Sequence, residues 1–182
     1  MENQKICQRC AYPMEKSEDF GTNADGSKNG EYCCYCYEKG AFLYPEATMD
    51  DVIEGCIPHV VPDVFPDEAA ARAAMKEYFP TLNCWKKTGM LISFKISDDI
   101  SKDDFLKASD DIQEKYLSKC KGFISRQLMI IDGVWTDWVI WETFPDADNS
   151  MKKAEENESA MAFSSMISEM IEYGTYPLER SY

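Results

Sequence analysis

Two short stretches hold most of the side chains in this chain that could do chemistry. ICQRC sets Cys7 and Cys10 two residues apart, and YCCYCY packs Cys33, Cys34 and Cys36 into four consecutive positions. Cys7–Cys10 and Cys33–Cys36 are both Cys-x-x-Cys pairs, with 22 residues between them. Two intervening residues let a tight turn aim both thiolates at one ion. Two such turns supply a tetrahedral set of four sulfurs, which suits Zn2+ with Zn–S bonds of ~2.3 Å. A Cys34–Cys36 pair would be Cys-x-Cys, whose side chains turn less readily to neighbouring corners of a tetrahedron. The spacing therefore selects Cys7, Cys10, Cys33 and Cys36 as metal ligands and leaves Cys34 as a spare thiol. Four protein ligands leave no position for water or substrate, so the expected Zn2+ is structural.

The elements that must position these sulfurs are short. Residues 1–47 are rich in Cys, Gly, Asn, Ser and Tyr and contain the turn-forming run GTNADGSKNGEY. Such a segment buries too little apolar surface to fold unaided, and metal-coupled folding of about 10–16 kcal/mol in isolated finger peptides supplies the missing staple. Residues 48–89 read as a helical connector: Thr48 with Asp51 opens one helix, and Pro66 to Pro80 bracket a second. In the second helix Ala70, Ala71, Ala74, Met75 and Tyr78 form the expected packing stripe. Cys56, Cys84 and Cys120 read as buried filler.

Residues 90–182 follow a β-α-β-β-α-β order. MLISFKI alternates at period two, Ser101 caps a helix running to about Lys119, and Asp132-Gly133 joins GFISRQLMI to VWTDWVIWET as a hairpin. Pro145 opens a helical stretch, and MIEYGTYPL is the last strand. The expected fold class is α+β, with an N-terminal four-cysteine zinc ribbon, a helical connector and a ferredoxin-like C-terminal domain.

ICQRCAYPM followed by FGTNADGSKNGEYCCYCYEKGAF resembles the zinc ribbon domain family, whose pattern is a CxxCxxP start, a GT-x-x-DGS loop and a YCxYCY knuckle. The resemblance covers about residues 6–47 and continues toward FPTLNCWKK. It implies zinc held by Cys7, Cys10, Cys33 and Cys36. One departure is Ala11, where the family commonly has Gly, so the first knuckle is expected to carry some backbone strain. The C-terminal half resembles the dimeric α/β barrel group of antibiotic-biosynthesis-monooxygenase-like proteins, through its element order and DGVWTDWVIWETF. That resemblance implies a homodimer whose paired sheets enclose a pocket, in a group that includes cofactor-free oxygenases and haem-degrading enzymes. Fold alone does not fix function there.

With Asp132-Gly133 as a two-residue turn, Ile124, Arg126, Leu128, Trp135, Asp137, Val139 and Trp141 share a sheet face, and Arg126 lies diagonal to Asp137. Arg126, Trp135, Asp137 and Trp141 are the pocket candidates: two tryptophans flanking an ion pair would suit a small apolar ligand. The same pattern also fits a core or interface face with one satisfied pair. The primary expectation is a zinc protein whose barrel domain binds a small molecule or a partner. The second is a cofactor-independent monooxygenase-like enzyme acting on a small aromatic substrate, with Asp137 as base. Pairing with Arg126 would lower the Asp137 pKa unless burial offsets it.

Other chemistries lack their residues. Residues 90–182 contain no histidine, the only one being His59, so the proximal ligand of haem-degrading relatives is missing. GxGxxG, P-loop and GxSxG patterns are absent, leaving no haem, nucleotide or flavin signature. Net charge is -14, shared as -3, -3 and -8 among the three zones, and no basic stripe marks a nucleic-acid surface. No apolar run approaches the ~18 residues of a membrane span, and the start of the chain shows no secretory signal, so a cytoplasmic location is expected.

Overall fold

The computed structural model describes residues 5–180; residues 1–4 and 181–182, which fall within the expected ribbon and barrel boundaries, lie outside the described residues. The chain divides into two compact units, Met1–Trp85 and Lys86–Tyr182.

The first unit begins with two small antiparallel ribbons. Strands β1 (Phe20–Thr22) and β2 (Lys28–Cys33) pair across the GTNADGS turn, where Asn23 N–H donates to the Ser27 carbonyl at 2.8 Å. Strands β3 (Tyr37–Glu38) and β4 (Ala41–Phe42) pair across Lys39-Gly40. Tyr32, Tyr37 and Phe42 meet edge to face or tilted, with centroids 5.0 to 5.4 Å apart, and form the ribbon's small apolar centre. Helix α1 (Met49–Cys56) carries the expected capping box, Thr48 accepting from Asp51 N–H while Asp51 accepts from Thr48 N–H. Helix α2 (Glu68–Tyr78) is capped by Asp67, one residue beyond Pro66. Ile53, Ile57, Ala71, Met75, Phe79 and Leu82 make one core, against which Ile6, Ala11 and Trp85 pack. Of the expected α2 stripe, Ala71 and Met75 are buried and Tyr78 is exposed. The short turn after α2 brings in Phe79 and Leu82 instead.

The second unit is a ferredoxin-like βαββαβ fold. Strands β5 (Thr88–Ile96), β6 (Phe123–Ile131), β7 (Val134–Trp141) and β8 (Ile167–Pro177) form one antiparallel sheet in the order β6-β7-β5-β8. The sheet is open, with β6 and β8 at its edges, and no barrel closes among the described residues. The Asp132-Gly133 turn has φ of 51° and 81° and sets Ile131 opposite Val134 and Leu128 opposite Asp137, as the sequence implies. A bulge between Phe123 and Ser125 then changes the register: Phe123 pairs with Trp141 and packs on the core, while Ile124 is exposed.

Helix α3 (Lys102–Lys115), capped by Ser101, ends four residues before Lys119, and a single 3-10 turn follows. The helical stretch after the hairpin divides into α4 (Phe144–Ala154), capped by Thr143, and α5 (Glu158–Ser165), capped by Asn157. Phe105 and Ile112 of α3, Ala147 of α4, and Ala160 and Phe163 of α5 pack on Met90, Phe94, Trp135, Val139 and Trp141 of the sheet. The opposite sheet face carries no helix from these residues. There the Trp138 indole lies over Gly89, so a Cβ at position 89 would come within 2.2 Å of it. Ser93 and Thr136 meet at 3.3 Å on the same face.

Candidate metal centre and the paired strands

The sulfurs of Cys7, Cys10, Cys33 and Cys36 all lie within 4.8 Å of one another. Cys7, Cys33 and Cys36 are buried and Cys10 is half-buried. Each pair sits in a tight turn: Ala11 N–H donates to the Cys7 carbonyl at 2.9 Å, and Cys36 N–H donates to the Cys33 carbonyl at 3.0 Å. Strand β2 delivers Cys33 so that its N–H reaches Cys7 Sγ at 3.3 Å, tying the two turns together. Cys10 and Cys33 Sγ are 3.6 Å apart, near the ~3.8 Å edge of a tetrahedron built on ~2.3 Å metal–sulfur bonds.

Without an ion among them the four thiols share protons unequally. Hydrogen bonds from Cys10, Cys33 and Cys36 hold the Cys7 thiol far below its ordinary value. Hydrogen bonding to Cys10 pushes Cys33 and Cys36 well above theirs. Four sulfurs this close cannot all ionise unless a positive ion sits among them, so an all-sulfur donor set of this size suits a divalent, thiophilic metal.

Residues 6–86 match the family model described as "Putative zinc ribbon domain". The ribbon match thus extends past the knuckles, through α1 and α2, to the end of the first compact unit. No curated protein matches the chain. Among solved structures, similar folds include SnoaB, a cofactor-independent oxygenase from Streptomyces nogalater, at 11% identity and TM-score 0.44, spanning 53% of this chain and 96% of that one. A protein described as "Putative antibiotic biosynthesis monooxygenase" from Bordetella bronchiseptica matches at 13% identity and TM-score 0.44, over 51% of this chain and 97% of that one. A conserved protein from Methanosarcina mazei Go1 matches at 12% identity and TM-score 0.44, over 53% and 97%. Likeness at this level bears on neither activity nor ligand.

Cys34 stands apart from the ribbon's four sulfurs; its N–H donates to the Asp19 carbonyl at 2.8 Å, and burial raises its thiol. Cys56, at the end of α1, is less ordinary than its helical position implies, because the neighbouring Cys10 lowers its thiol. Ala11 has φ of 60°, in the left-handed region where Gly is at ease. This is the backbone strain anticipated at the first knuckle, and it costs roughly 1–2 kcal/mol in a residue with a Cβ. Ala11→Gly is therefore expected to stabilise the metal-loaded protein by about 1 kcal/mol, read as a higher thermal midpoint. An unchanged or lower midpoint would contradict the strain argument.

Sequence context does not single out Arg9, yet it is only 1% exposed. Its Nη2 donates to the Tyr44 carbonyl at 2.6 Å and reaches the Ala47 carbonyl at 3.5 Å. The guanidinium carbon lies 4.4 Å from the Phe42 ring centroid and 5.7 Å from that of Trp85. The one available signal is a basic side chain placed between two expected thiolates.

In the second unit the structure brings Arg126 and Asp137 together. Arg126 Nε donates to both carboxylate oxygens at 2.9 Å. Nη2 lies 2.7 Å from Oδ2 but is not aimed for a hydrogen bond, so the Nε contacts define the pairing. Nη1 donates to the Ser109 carbonyl of α3 at 3.0 Å, and the Phe163 ring of α5 lies 5.2 Å from the guanidinium carbon. Burial pushes the Asp137 carboxyl above the usual carboxylate range, and Arg126 offsets this only in part. Trp135 and Trp141 are buried in the helix-covered core. A shallow groove of about 260 Å3 opens between α3 and β6, lined by Ser109, Gln113, Phe123 and Leu128 and reached by Arg126. Trp135, Asp137 and Trp141 do not line it.

Proposed function

We propose that the first unit is a structural zinc module, with Cys7, Cys10, Cys33 and Cys36 as its four ligands and Cys34 outside the site. The convergence of four sulfurs within 4.8 Å carries this reading. Bound there, the metal would supply the cross-link between two knuckles that the short strands lack. A closed four-sulfur set gives it no vacant position for chemistry.

The second unit is read as a small-molecule or partner-binding module that pairs with a second copy through its helix-free sheet face. That face supports the pairing: Met129, Ile131 and Tyr176 stand exposed on it, an apolar surface of the kind that association covers. The groove beside Arg126 is the candidate ligand position. Among the described residues no helix is long and apolar enough to cross a membrane. A cytoplasmic location belongs to the same reading and rests on the sequence.

Native mass spectrometry of freshly purified protein tests both halves of this reading in one measurement. A dimer carrying two zinc ions is the expected species. Cys34→Ser is expected to retain the metal, and Cys33→Ser or Cys36→Ser to lose it. Metal-free wild-type protein, or stoichiometric zinc in Cys33→Ser, would overturn the ligand assignment, and a monomer at working concentration would remove the pairing.

A further inference from the structure

A guanidinium removed from water needs an anion nearby or a full set of hydrogen bonds, because an uncompensated buried charge costs several kcal/mol. Arg9 has neither in ordinary form. None of the ion pairs among the described residues involves it. Its Nε is buried without a hydrogen-bond partner, and among the described residues its acceptors are two backbone carbonyls. The chain nevertheless encloses it between the rings of Phe42 and Trp85.

Along the chain, the nearest groups able to carry compensating negative charge are the thiols of its own knuckle. Arg9 directly precedes Cys10 and is two residues from Cys7. Phe42, which covers its guanidinium, is followed by Leu43, whose N–H donates to the Cys36 carbonyl at 3.0 Å. A divalent ion with four thiolates would carry two net negative charges, at a site where Cys7, Cys33 and Cys36 are buried. We propose that Arg9 is the buried counter-cation of the four-sulfur site, a positioning residue whose fixed charge offsets the net negative charge of the metal-loaded site. The inference rests on the reading of Cys7, Cys10, Cys33 and Cys36 as ligands. It goes further by assigning the charge balance of the site to one residue.

The mechanism is electrostatic: in a low-dielectric surrounding, a fixed cation lowers the energy of the more negative site more than that of the less negative one. Iron substituted into the full-length protein provides the readout. Ferric iron with four thiolates carries one net negative charge and ferrous iron two, so a nearby cation favours the reduced form. Arg9→Met is expected to move the iron reduction potential to more negative values and to weaken zinc binding, measured by chelator competition, by roughly 10–100-fold. Arg9→Lys should restore most of both quantities. A residue that only fastens the loop would alter stability and leave the potential in place, so an unchanged potential in metal-loaded Arg9→Met overturns the proposal. If Arg9→Met takes up no metal, Arg9→Lys decides: loading supports the charge role, and failure to load overturns it. Wild-type protein that binds neither metal would instead overturn the ligand reading, a separate outcome.

Discussion

Stripping the metal from the purified chain is expected to unfold the first compact unit, helices included, while the four-stranded sheet of the second stays folded. The ribbon has little else to hold it. Its strands run from two to six residues, and beyond its cysteines its buried apolar side chains are few: Met14, Tyr32 and Phe42. Two-stranded ribbons of that size are marginal in water. The helical part depends on the same knuckle. Between Cys7 and Cys10, Gln8 accepts from Cys84 N–H at 3.1 Å through its carbonyl and from Asn83 N–H at 3.2 Å through Oε1. The carbonyl of the next residue, Arg9, accepts from Trp85 Nε1 at 2.8 Å. Losing the knuckle therefore releases residues 83–85 and one wall of the core around Phe79 and Leu82.

The magnitude points the same way. Metal-coupled folding of about 10–16 kcal/mol in zinc peptides equals or exceeds the roughly 5–15 kcal/mol that holds a typical domain together. Hydrogen exchange with and without a strong chelator reads the result directly. Amides of β2, α1 and α2 should lose protection together once the metal is gone, and those of β5 and β7 should keep it. Protected α1 and α2 amides in demonstrably metal-free protein would show that the helices stand without the ribbon.

Features set by local spacing were legible in the sequence. The two Cys-x-x-Cys turns, the Thr48 and Ser101 caps and the Asp132-Gly133 hairpin each depend on residues close in sequence, and each is present in the fold. The element order followed from them. Features set by tertiary packing were not. The bulge at Phe123–Ser125 exchanges Ile124 for Phe123 on the core face because the larger ring fills the space beside Trp141, 5.7 Å between centroids. Alternation alone cannot signal such a slip. The break between α4 and α5 is written only in Asn157, whose capping role competes with an otherwise helical run. The burial of Arg9 had no periodic signal, since a knuckle has no face to be amphipathic about.

The second large effect is expected at Arg126 and Asp137. Both side chains are only 6% exposed, beneath α3 and α5, so the pair was removed from water at considerable cost. Replacing Arg126 with Met would leave the carboxylate buried with its guanidinium partner gone and would free the Ser109 carbonyl. Breaking one side of a buried pair typically costs about 3–5 kcal/mol, a large share of any domain's stability. The mutated site can escape part of this by protonating Asp137, whose carboxyl burial already pushes upward, so the loss should be smaller in acid and larger in alkali. Arg126→Met combined with Asp137→Leu should recover most of the loss, because a well-packed apolar pair avoids the desolvation altogether. Denaturant unfolding followed by tryptophan fluorescence suits the test, since Trp135, Trp138 and Trp141 all report on this sheet. If Arg126→Met costs less than about 1 kcal/mol at neutral pH, or if the double variant is no more stable than the single one, Asp137 is not a charge held in place by its partner. Large destabilisation in Arg126→Met with recovery in the double variant would mean that the two charges compensate each other in the core and that neither is needed for the fold.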